Sequence, residues 1–421
     1  MAFVLYDAGR PDYRCSCHGG RPIMSHRSWS AGVGTALTVT LTAVGLGAPA
    51  QAAATGTAKV VGTTKVTFTA ASGKANSVTV TRSGRVITID DKVAVKPGHG
   101  CRKDGHDATK VACTTPSTPT LVTIDAGDKN DVITNKTNLE MIGLGGSGND
   151  TITGGSVRDS RLDGGAGNDK VYGGGGNDDL YGGSGNDRLN GGADADELDG
   201  GTGADLLQGG AGSDHAIYWT RTRGVNADLD GKADDGERGE KDTIATDVEN
   251  LWGGFGNDTL TGNEQSNYID GGGGKDLIRG GAGNDLIGAE GSLGNTIYGQ
   301  AGDDYINAGD GNDMVWGGAG ADFIYGESGN DKVYGEAGKD VVEGDEGNDD
   351  LRGGPDDDWL TGGAGNDKLF GEAGDDQIRG TGDIVSGESD TELDAADGGP
   401  DGTEAGDTCS VGAAGTKVNC E

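Results

Sequence analysis

A nine-residue period constrains this chain more than any other feature. From Gly164 the sequence reads GGAGNDKVY, GGGGNDDLY and GGSGNDRLN, and the period recurs over much of the chain. Eight units, the first array, run from Gly145 to about Ile217. About fourteen units, the second array, run from Gly253 through Arg379. An outlying unit, AGDKNDVIT, opens the arrays at residues 126–134. Self-similarity at a short fixed period predicts a solenoid of stacked copies.

Each position of the unit has its own residue type. The first and fourth positions are mostly Gly, the sixth is Asp in twenty of twenty-two units, and the eighth is almost always aliphatic. Gly, Asn and Asp favour turns, and the x-aliphatic-x segment favours a short strand with one inward side chain. Two units would make one coil of eighteen residues. We therefore predict an all-β fold, a parallel β-roll or β-helix solenoid with two parallel sheets.

The second position varies between the arrays. It is Gly in the first array, but Glu327, Glu336 and Glu372 occupy it in the second. Because Glu is a poor residue for positive φ, we expect that the second position does not require positive φ in every unit.

Composition alone favours disorder. The 421 residues include 86 Gly and carry a net charge of -36, and a highly charged chain with few aliphatics seldom builds a core. The period reverses this conclusion, because one aliphatic per unit suffices for a core one residue wide. The acid excess argues against nucleic acid or an anionic membrane as a partner and favours cations. No apolar run is suited to a membrane span.

Stacked units would place Asp side chains one above another, and unneutralised carboxylates at that spacing repel. A hard dication between turns would remove the repulsion. Ca²⁺ accepts carboxylate and carbonyl oxygens in loose geometry, whereas Mg²⁺ demands a tighter octahedron. Zn²⁺ prefers His or Cys, and the arrays contain only His215. We therefore predict several Ca²⁺ ions as the cofactor and partner, with folding coupled to their binding.

The unit G-G-x-G-x-D-x-(aliphatic)-x resembles the RTX nonapeptide repeat of secreted bacterial proteins, over residues 126–379. The resemblance implies a parallel β-roll with Ca²⁺ in its Gly- and Asp-rich turns. The turns at Gly154 and Ala289 depart from the pattern and are doubtful sites. The metal ligands that the resemblance implies are Asp131, Asp150, Asp169, Asp178, Asp187, Asp196, Asp205, Asp214, Asp258, Asp276, Asp285, Asp304, Asp313, Asp322, Asp331, Asp340, Asp349, Asp358, Asp367 and Asp376.

The N-terminal residues predict export. Residues 24–52 resemble a signal peptide that ends in the small-x-small pattern Ala50-Gln51-Ala52, and we interpret residues 1–23 as a non-structural extension. The mature protein would then be secreted and extracellular. In that compartment the pairs Cys101–Cys113 and Cys409–Cys420 predict two local disulfides. Four buried or free thiols are the alternative.

Three segments lie outside the repeats. Residues 53–125 contain β-branched runs and predict a β-rich N-terminal cap, or alternatively a separate small β domain that binds a partner. Residues 218–252 form an acidic insertion, either a solvated loop or an additional Ca²⁺ site. Its apolar residues, such as Trp219 and Val225, are expected to pack on the roll. Residues 380–421 form an acidic C-terminal segment with a Cys pair that would cover the other end.

No catalytic motif is recognisable. The sequence contains neither an H-E-x-x-H pattern nor a G-x-S-x-G elbow. We therefore predict a secreted, non-enzymatic calcium-binding protein. Two alternatives stay open: an extracellular adhesion or matrix module that recognises a cell-surface ligand, and a hydrolase with an unrecognised site.

Overall fold

The computed structural model describes residues 55–380 and five short strands outside them. Within these residues every regular element is a β-strand, and none of them forms a helix that could span a membrane. The predicted signal peptide lies outside the described residues, as do the side chains of the predicted extension and of the Cys409–Cys420 pair. These three stay predictions.

The strands before the repeats are β1 (Ser16–His18), β2 (Arg21–Ile23), β3 (Gly56–Val61), β4 (Lys65–Thr69), β5 (Ser77–Ser83), β6 (Val86–Asp90), β7 (Val95–Pro97), β8 (Cys101–Lys103), β9 (Lys110–Thr114) and β10 (Leu121–Asp125). Those of the opening unit and first array are β11 (Val132–Asn135), β12 (Glu140–Ser147), β13 (Thr151–Thr153), β14 (Arg161–Ala166), β15 (Lys170–Gly175), β16 (Asp179–Ser184), β17 (Arg188–Ala193), β18 (Glu197–Thr202), β19 (Leu206–Ala211) and β20 (His215–Ile217).

The insertion contains β21 (Val225–Asp228), β22 (Ala233–Glu237), β23 (Asp242–Ile244) and β24 (Asn250–Trp252). The second array contains β25 (Thr259–Thr261), β26 (Tyr268–Asp270), β27 (Leu277–Ala282), β28 (Leu286–Gly288), β29 (Thr296–Ala301), β30 (Tyr305–Asn307), β31 (Met314–Ala319), β32 (Phe323–Tyr325), β33 (Lys332–Ala337), β34 (Val341–Glu343), β35 (Asp350–Pro355), β36 (Trp359–Thr361), β37 (Lys368–Ala373) and β38 (Gln377–Arg379). The last strands are β39 (Ala395–Asp397), β40 (Thr408–Ser410) and β41 (Thr416–Val418).

Strands in the arrays pair in parallel with the strand one coil away. Val171 pairs with Leu189, and Leu180 pairs with Leu198. This confirms the eighteen-residue coil and the parallel β-solenoid. We call the sheet that runs from β10 and β12 through the even-numbered strands to β38, without β22, sheet I. Sheet II is the opposite sheet, with the odd-numbered strands from β11 to β19 in the first array and from β25 to β37 in the second.

Eighth-position aliphatics from both sheets fill the interior. Val171, Leu180 and Leu351 are fully buried, and one continuous apolar cluster extends from Ala58 to Ile378. Side chains on either side of the eighth position point outward, because residues of a strand alternate between its faces. The one-residue-wide core predicted from the sequence is therefore present in the folded chain.

Parallel stacking begins earlier than the repeat predicts. β4 pairs in parallel with β10, and β10 pairs with β12. The turns that enter β4 and β10 lack the Gly-Asp motif, and the register of these strands follows from buried aliphatics such as Val66 and Val122. Antiparallel strands β3, β6, β8 and β9 extend both sheets at this end. The predicted Cys101–Cys113 disulfide is confirmed.

The insertion, residues 218–252, joins the two arrays, and we call this junction the splice. Sheet I runs straight through it, since β20 pairs with β24 and β24 with β26. In sheet II, β19 pairs with β23 and β21 pairs with β25, while the antiparallel strand β22 links β21 to β23. The insertion is therefore a short meander of strands, which corrects the interpretation as a solvated loop.

Most apolar residues of the insertion pack as expected. Val225, Ile244 and Leu251 are buried. Trp219 differs, because it is 38% exposed and lies against the Trp252 ring at a centroid distance of 5.6 Å. Trp219 therefore covers the outside of the splice and adds nothing to the interior.

The expectation that the second position does not require positive φ in every unit holds, since Asn263 and Glu290 are not among the positive-φ residues, but it fails at the glutamates that suggested it. Five second-position residues that are not Gly adopt positive φ of 66–83°. Each is held in register with the coil below, as where Glu336 pairs with Gly318, so the stack sets the backbone whatever the side chain. Positive φ costs such residues about 1–2 kcal/mol each. The five are Gln300, Glu327, Glu336, Asp345 and Glu372.

Candidate metal centre

The sixth-position aspartates lie in the turns, immediately before the strands. Asp169 precedes β15 of sheet II, and Asp178 precedes β16 of sheet I. The first edge of the solenoid therefore comprises the turns that enter sheet II, and the second edge comprises those that enter sheet I. All twenty candidate aspartates are at most 3% exposed. Because strands stack coil on coil, the aspartates of each edge form a ladder.

One oxygen of each carboxylate joins the ladder. The Asp187 Oδ1 accepts a hydrogen bond from the Asp169 backbone N–H at 2.7 Å, and the Asp322 Oδ1 accepts one from the Asp304 N–H at 2.8 Å. The same bond recurs along both edges, from each aspartate to the next coil. Charge-assisted bonds of this kind are stronger than neutral ones, so the ladder fixes the orientation of every carboxylate.

The other oxygen, Oδ2, is buried. In seventeen of the twenty aspartates it has no hydrogen-bond partner within the part of the chain that the structure describes. A buried polar atom without a partner is costly, so a row of such atoms indicates a ligand. The seventeen are Asp131, Asp150, Asp169, Asp178, Asp187, Asp196, Asp205, Asp214, Asp276, Asp285, Asp304, Asp313, Asp322, Asp331, Asp340, Asp349 and Asp358.

A second oxygen converges on the same place from the neighbouring coil. A Cβ built on Gly173 would lie 2.5 Å from the Asp178 Oδ2 and 2.5 Å from the Gly191 carbonyl oxygen. At Gly299 the corresponding distances, to the Asp304 Oδ2 and the Gly317 oxygen, are both 2.4 Å. At these two turns any side chain on the first-position residue would fill the space between the oxygens, which explains why Gly occupies it.

Burial works against the charge of these carboxylates. It raises the pKa of Asp178 to about 8 and that of Asp322 to about 7, although each accepts a backbone hydrogen bond that lowers it. Neighbouring carboxylates raise both values further. Without a counter-charge, the ladder would be partly protonated at neutral pH. A bound cation would restore the ionised form.

The donor set fits calcium. Every converging donor is an oxygen, from a carboxylate or a backbone carbonyl, and such oxygens are the ligands that Ca²⁺ prefers. Zn²⁺ would need nitrogen or sulfur donors. A bound Ca²⁺ would supply the positive charge between coils, and the aspartate Oδ2 atoms with nearby carbonyls would hold it.

In two turns, a backbone N–H group donates a hydrogen bond to the aspartate Oδ2 atom. The Asp258 Oδ2 accepts a hydrogen bond from the Gly254 N–H at 2.7 Å, and the Asp159 Oδ2 accepts one from the Gly155 N–H at 2.7 Å. Asp258 was among the ligands that the family resemblance implied, and Asp159 lies in the doubtful Gly154 turn. These carboxylates have both oxygens satisfied, so their turns offer a cation less than the others do.

Two further turns carry Asn in place of Asp. The Asn295 Nδ2 donates to the Ala308 carbonyl oxygen at 3.0 Å, and the Asn267 Nδ2 donates to the Glu249 carbonyl oxygen at 2.7 Å. The amide therefore supplies a donor that satisfies the stack without a cation.

The ladder also includes two acids that the repeat pattern missed. The Asp242 Oδ1 accepts from the Asp205 N–H at 2.9 Å, and the Glu249 Oε2 accepts from the Asp214 N–H at 2.8 Å. Both lie in the insertion, where the period fails. A usable signal was present for Glu249, since Leu251 follows it at the spacing between the sixth and eighth positions. Asp242 therefore extends the first edge into the insertion, and Glu249 extends the second edge.

A separate acidic cluster lies on the insertion. Carboxylate oxygens of Asp228, Asp230 and Asp234 lie within 4.8 Å of one another, and Lys232 forms an ion pair with Asp230. The additional Ca²⁺ site predicted for the insertion stays a prediction.

The fold and its acid ladders define a class: a parallel β-solenoid whose turns hold ladders of buried carboxylates. The family model of the RTX calcium-binding nonapeptide repeat matches this chain in several copies between residues 144 and 384. The chain is therefore an RTX-repeat protein. A comparison with curated proteins found no relative that matches. The matched segments are residues 144–156, 157–189, 181–216, 252–287, 291–324, 316–351 and 352–384.

Proposed function

We propose that this protein is a secreted, non-enzymatic calcium-binding β-roll whose folding depends on Ca²⁺. The row of buried Oδ2 atoms carries this proposal. In turns such as those of Gly173 and Gly299, the Oδ2 atom faces a carbonyl oxygen of the next coil across the space that the first-position Gly leaves open. A cation in that space binds two coils at once, so binding free energy becomes folding free energy.

The proposal implies two states of the chain, an expanded one before export and a folded one after it. Where Ca²⁺ is scarce the ladder carboxylates repel, and the chain is expanded. Outside the cell, Ca²⁺ drives stacking. The signal-like segment at residues 24–52 supports secretion, and so does the Cys101–Cys113 disulfide, which belongs to an oxidising compartment. The lack of catalytic motifs in the sequence supports a non-enzymatic role.

A Ca²⁺ titration tests the proposal. Calcium-free protein is titrated with Ca²⁺, or with Mg²⁺ at matched ionic strength, while circular dichroism and the scattering radius are recorded. We expect Ca²⁺ to raise β content and reduce the radius cooperatively, and Mg²⁺ to do so far less. Unchanged dichroism and radius across the Ca²⁺ titration would overturn the proposal.

A pair of variants locates the sites. Asp322→Asn keeps the Oδ1 acceptor but removes the charge, and Asn already occupies positions 267 and 295 of the ladder. Asp258→Asn is the matched control, because the Gly254 N–H already satisfies the Asp258 Oδ2. Equilibrium dialysis should show bound Ca²⁺ lost in Asp322→Asn and largely retained in Asp258→Asn. The reverse order would contradict the assignment.

A further inference from the structure

One outward row of sheet II differs from the rest of this acidic protein. Six consecutive coils of the second array place a cationic or aromatic residue at the ninth position, and each pairs with the next along the sheet. All six side chains are half-buried. We call these residues the stacked row: Arg279, Tyr298, Trp316, Tyr334, Arg352 and Phe370.

The rings of the stacked row lie face to face. Tyr298 and Trp316 have centroids 4.6 Å apart and planes 7° apart, and Trp316 and Tyr334 follow at 5.5 Å and 9°. The Arg352 guanidinium lies 4.6 Å from the Phe370 ring centroid. The faces of these rings therefore contact other members of the stacked row. Ring edges, which carry the positive side of the aromatic quadrupole, are left to face outward.

Cations flank the row. Lys332 and Lys368 occupy the seventh positions of β33 and β37 on the same face, and both are exposed. Arg352 contacts Asp350 at 3.5 Å and Glu372 at 3.4 Å. The four cations Arg279, Lys332, Arg352 and Lys368 outnumber the nearby acids Glu336, Asp350 and Glu372 by one. A chain with a net charge of -36 thus presents a cationic strip about five rungs long, or about 24 Å at 4.8 Å per rung.

We propose that this strip binds an extended acidic polysaccharide lying along the solenoid axis. Lys332 and Lys368 are two coils apart, or about 10 Å, and Arg279 lies three coils from Lys332, or about 14 Å. Such wide spacing suits a polymer with one carboxylate per disaccharide. Tyrosine hydroxyls, the indole N–H and the guanidinium groups offer hydrogen bonds to sugar hydroxyls between the charges.

The same geometry disfavours single-stranded nucleic acid. Binding of that kind relies on bases that stack on free aromatic faces, and the faces of this row are occupied by one another. A phosphate backbone would also bring its charges more densely than the strip offers cations, against a body that is acidic elsewhere. A purely structural row, stabilised by cross-strand stacking alone, is the competing explanation that the experiment must separate.

The test uses the full chain, saturated with Ca²⁺, and measures binding to hyaluronan, to neutral dextran and to an oligothymidine. The test variant is the double change Lys332→Glu and Lys368→Glu. Its matched control is Lys170→Glu with Arg188→Glu, which alters exposed seventh positions of sheet II in the first array by the same charge. No stacked row accompanies those positions, because Tyr172 is followed there by Asn190 and Gln208.

We expect hyaluronan to bind and the test variant to weaken that binding about tenfold, with a much smaller loss in the control. Calcium bridging between acidic chains would affect both variants equally. The proposal would be overturned if hyaluronan did not bind, or if both variants lost the same affinity for it. Dextran binding as tight as hyaluronan binding, or oligothymidine binding tighter than it, would also overturn the proposal. Circular dichroism of each Ca²⁺-loaded variant reports the fold separately, so failure of this site is distinguishable from failure of Ca²⁺-dependent folding.

Discussion

Acid should stabilise the calcium-free roll, contrary to the usual effect of acid on proteins. The pKa of Asp322 is raised from 3.8 to about 7, and that of Asp340 to about 6, chiefly by burial. A carboxyl whose pKa is higher in the folded state favours folding when it is protonated. This contribution is fully present below about pH 4 and is lost as the pH rises through about 6 to 7.

The size of the effect follows from the burial of the ladder. Asp322 is 0% exposed, and a rise of about three pKa units corresponds to about 4 kcal/mol. With half of this value allowed for electrostatic screening, about 2 kcal/mol per carboxyl is left. A few adjacent coils therefore reach the 5–15 kcal/mol that typically stabilises a domain. Calcium-free protein should lack stacked coils at about pH 8 and gain them at about pH 5.5.

The measurement is circular dichroism and scattering radius in calcium-free buffer between about pH 8 and pH 5.5. The lower limit stays above the isoelectric point of about 4.2, where solubility would fall. In parallel, the Ca²⁺ concentration at the folding midpoint should rise as the pH falls, because protons compete for the same oxygens. Identical dichroism at both pH values, or a midpoint independent of pH, would refute the reasoning.

Three further predictions concern the stack, the core and the splice. Gly320→Ala would place a Cβ 2.1 Å from a backbone carbonyl oxygen, whereas at Gly84 the space is open. Denaturant melts of Ca²⁺-loaded protein should show a loss above about 3 kcal/mol for Gly320→Ala against about 1–2 for Gly84→Ala, and equal losses would contradict close stacking. Leu351→Ala empties a fully buried position and should cost about 2–5 kcal/mol in the same melts. A loss below about 1 kcal/mol would argue against a tight core. Asp242→Ala removes a buried ladder acceptor and should cost about 1–3 kcal/mol of stability. Asp234→Ala, at an exposed position, should be nearly neutral. A larger loss for Asp234→Ala than for Asp242→Ala would contradict the place of Asp242 in the ladder.

Repetition explains how much of the fold and site the sequence predicted. A coil of eighteen residues follows from two units, and a side chain that repeats once per unit must recur on one face. The sequence therefore identified buried aliphatics such as Leu351 and ladder acids such as Asp322 without any long-range information. The Cys101–Cys113 disulfide was equally local, since only a short hairpin separates its partners.

Contacts between distant parts of the chain decided the features that repetition could not predict. Asp242 and Glu249 reach their ladder partners across 37 and 35 residues of chain, because the insertion folds back before the period resumes. Asp258 shares the motif of its neighbours, yet its turn is closed by a backbone N–H. Glu336 adopts positive φ because the coil below fixes its backbone.

The sequence by itself thus determined the solenoid, its coil length and the identity of most ladder carboxylates, because each of these follows from the nine-residue unit and its repetition. Tertiary structure alone decided which carboxylates keep an open oxygen, how the two arrays join, and that Tyr298, Trp316 and Tyr334 stack in one row. These features depend on contacts between coils, and residues eighteen positions apart become neighbours only when the chain has stacked.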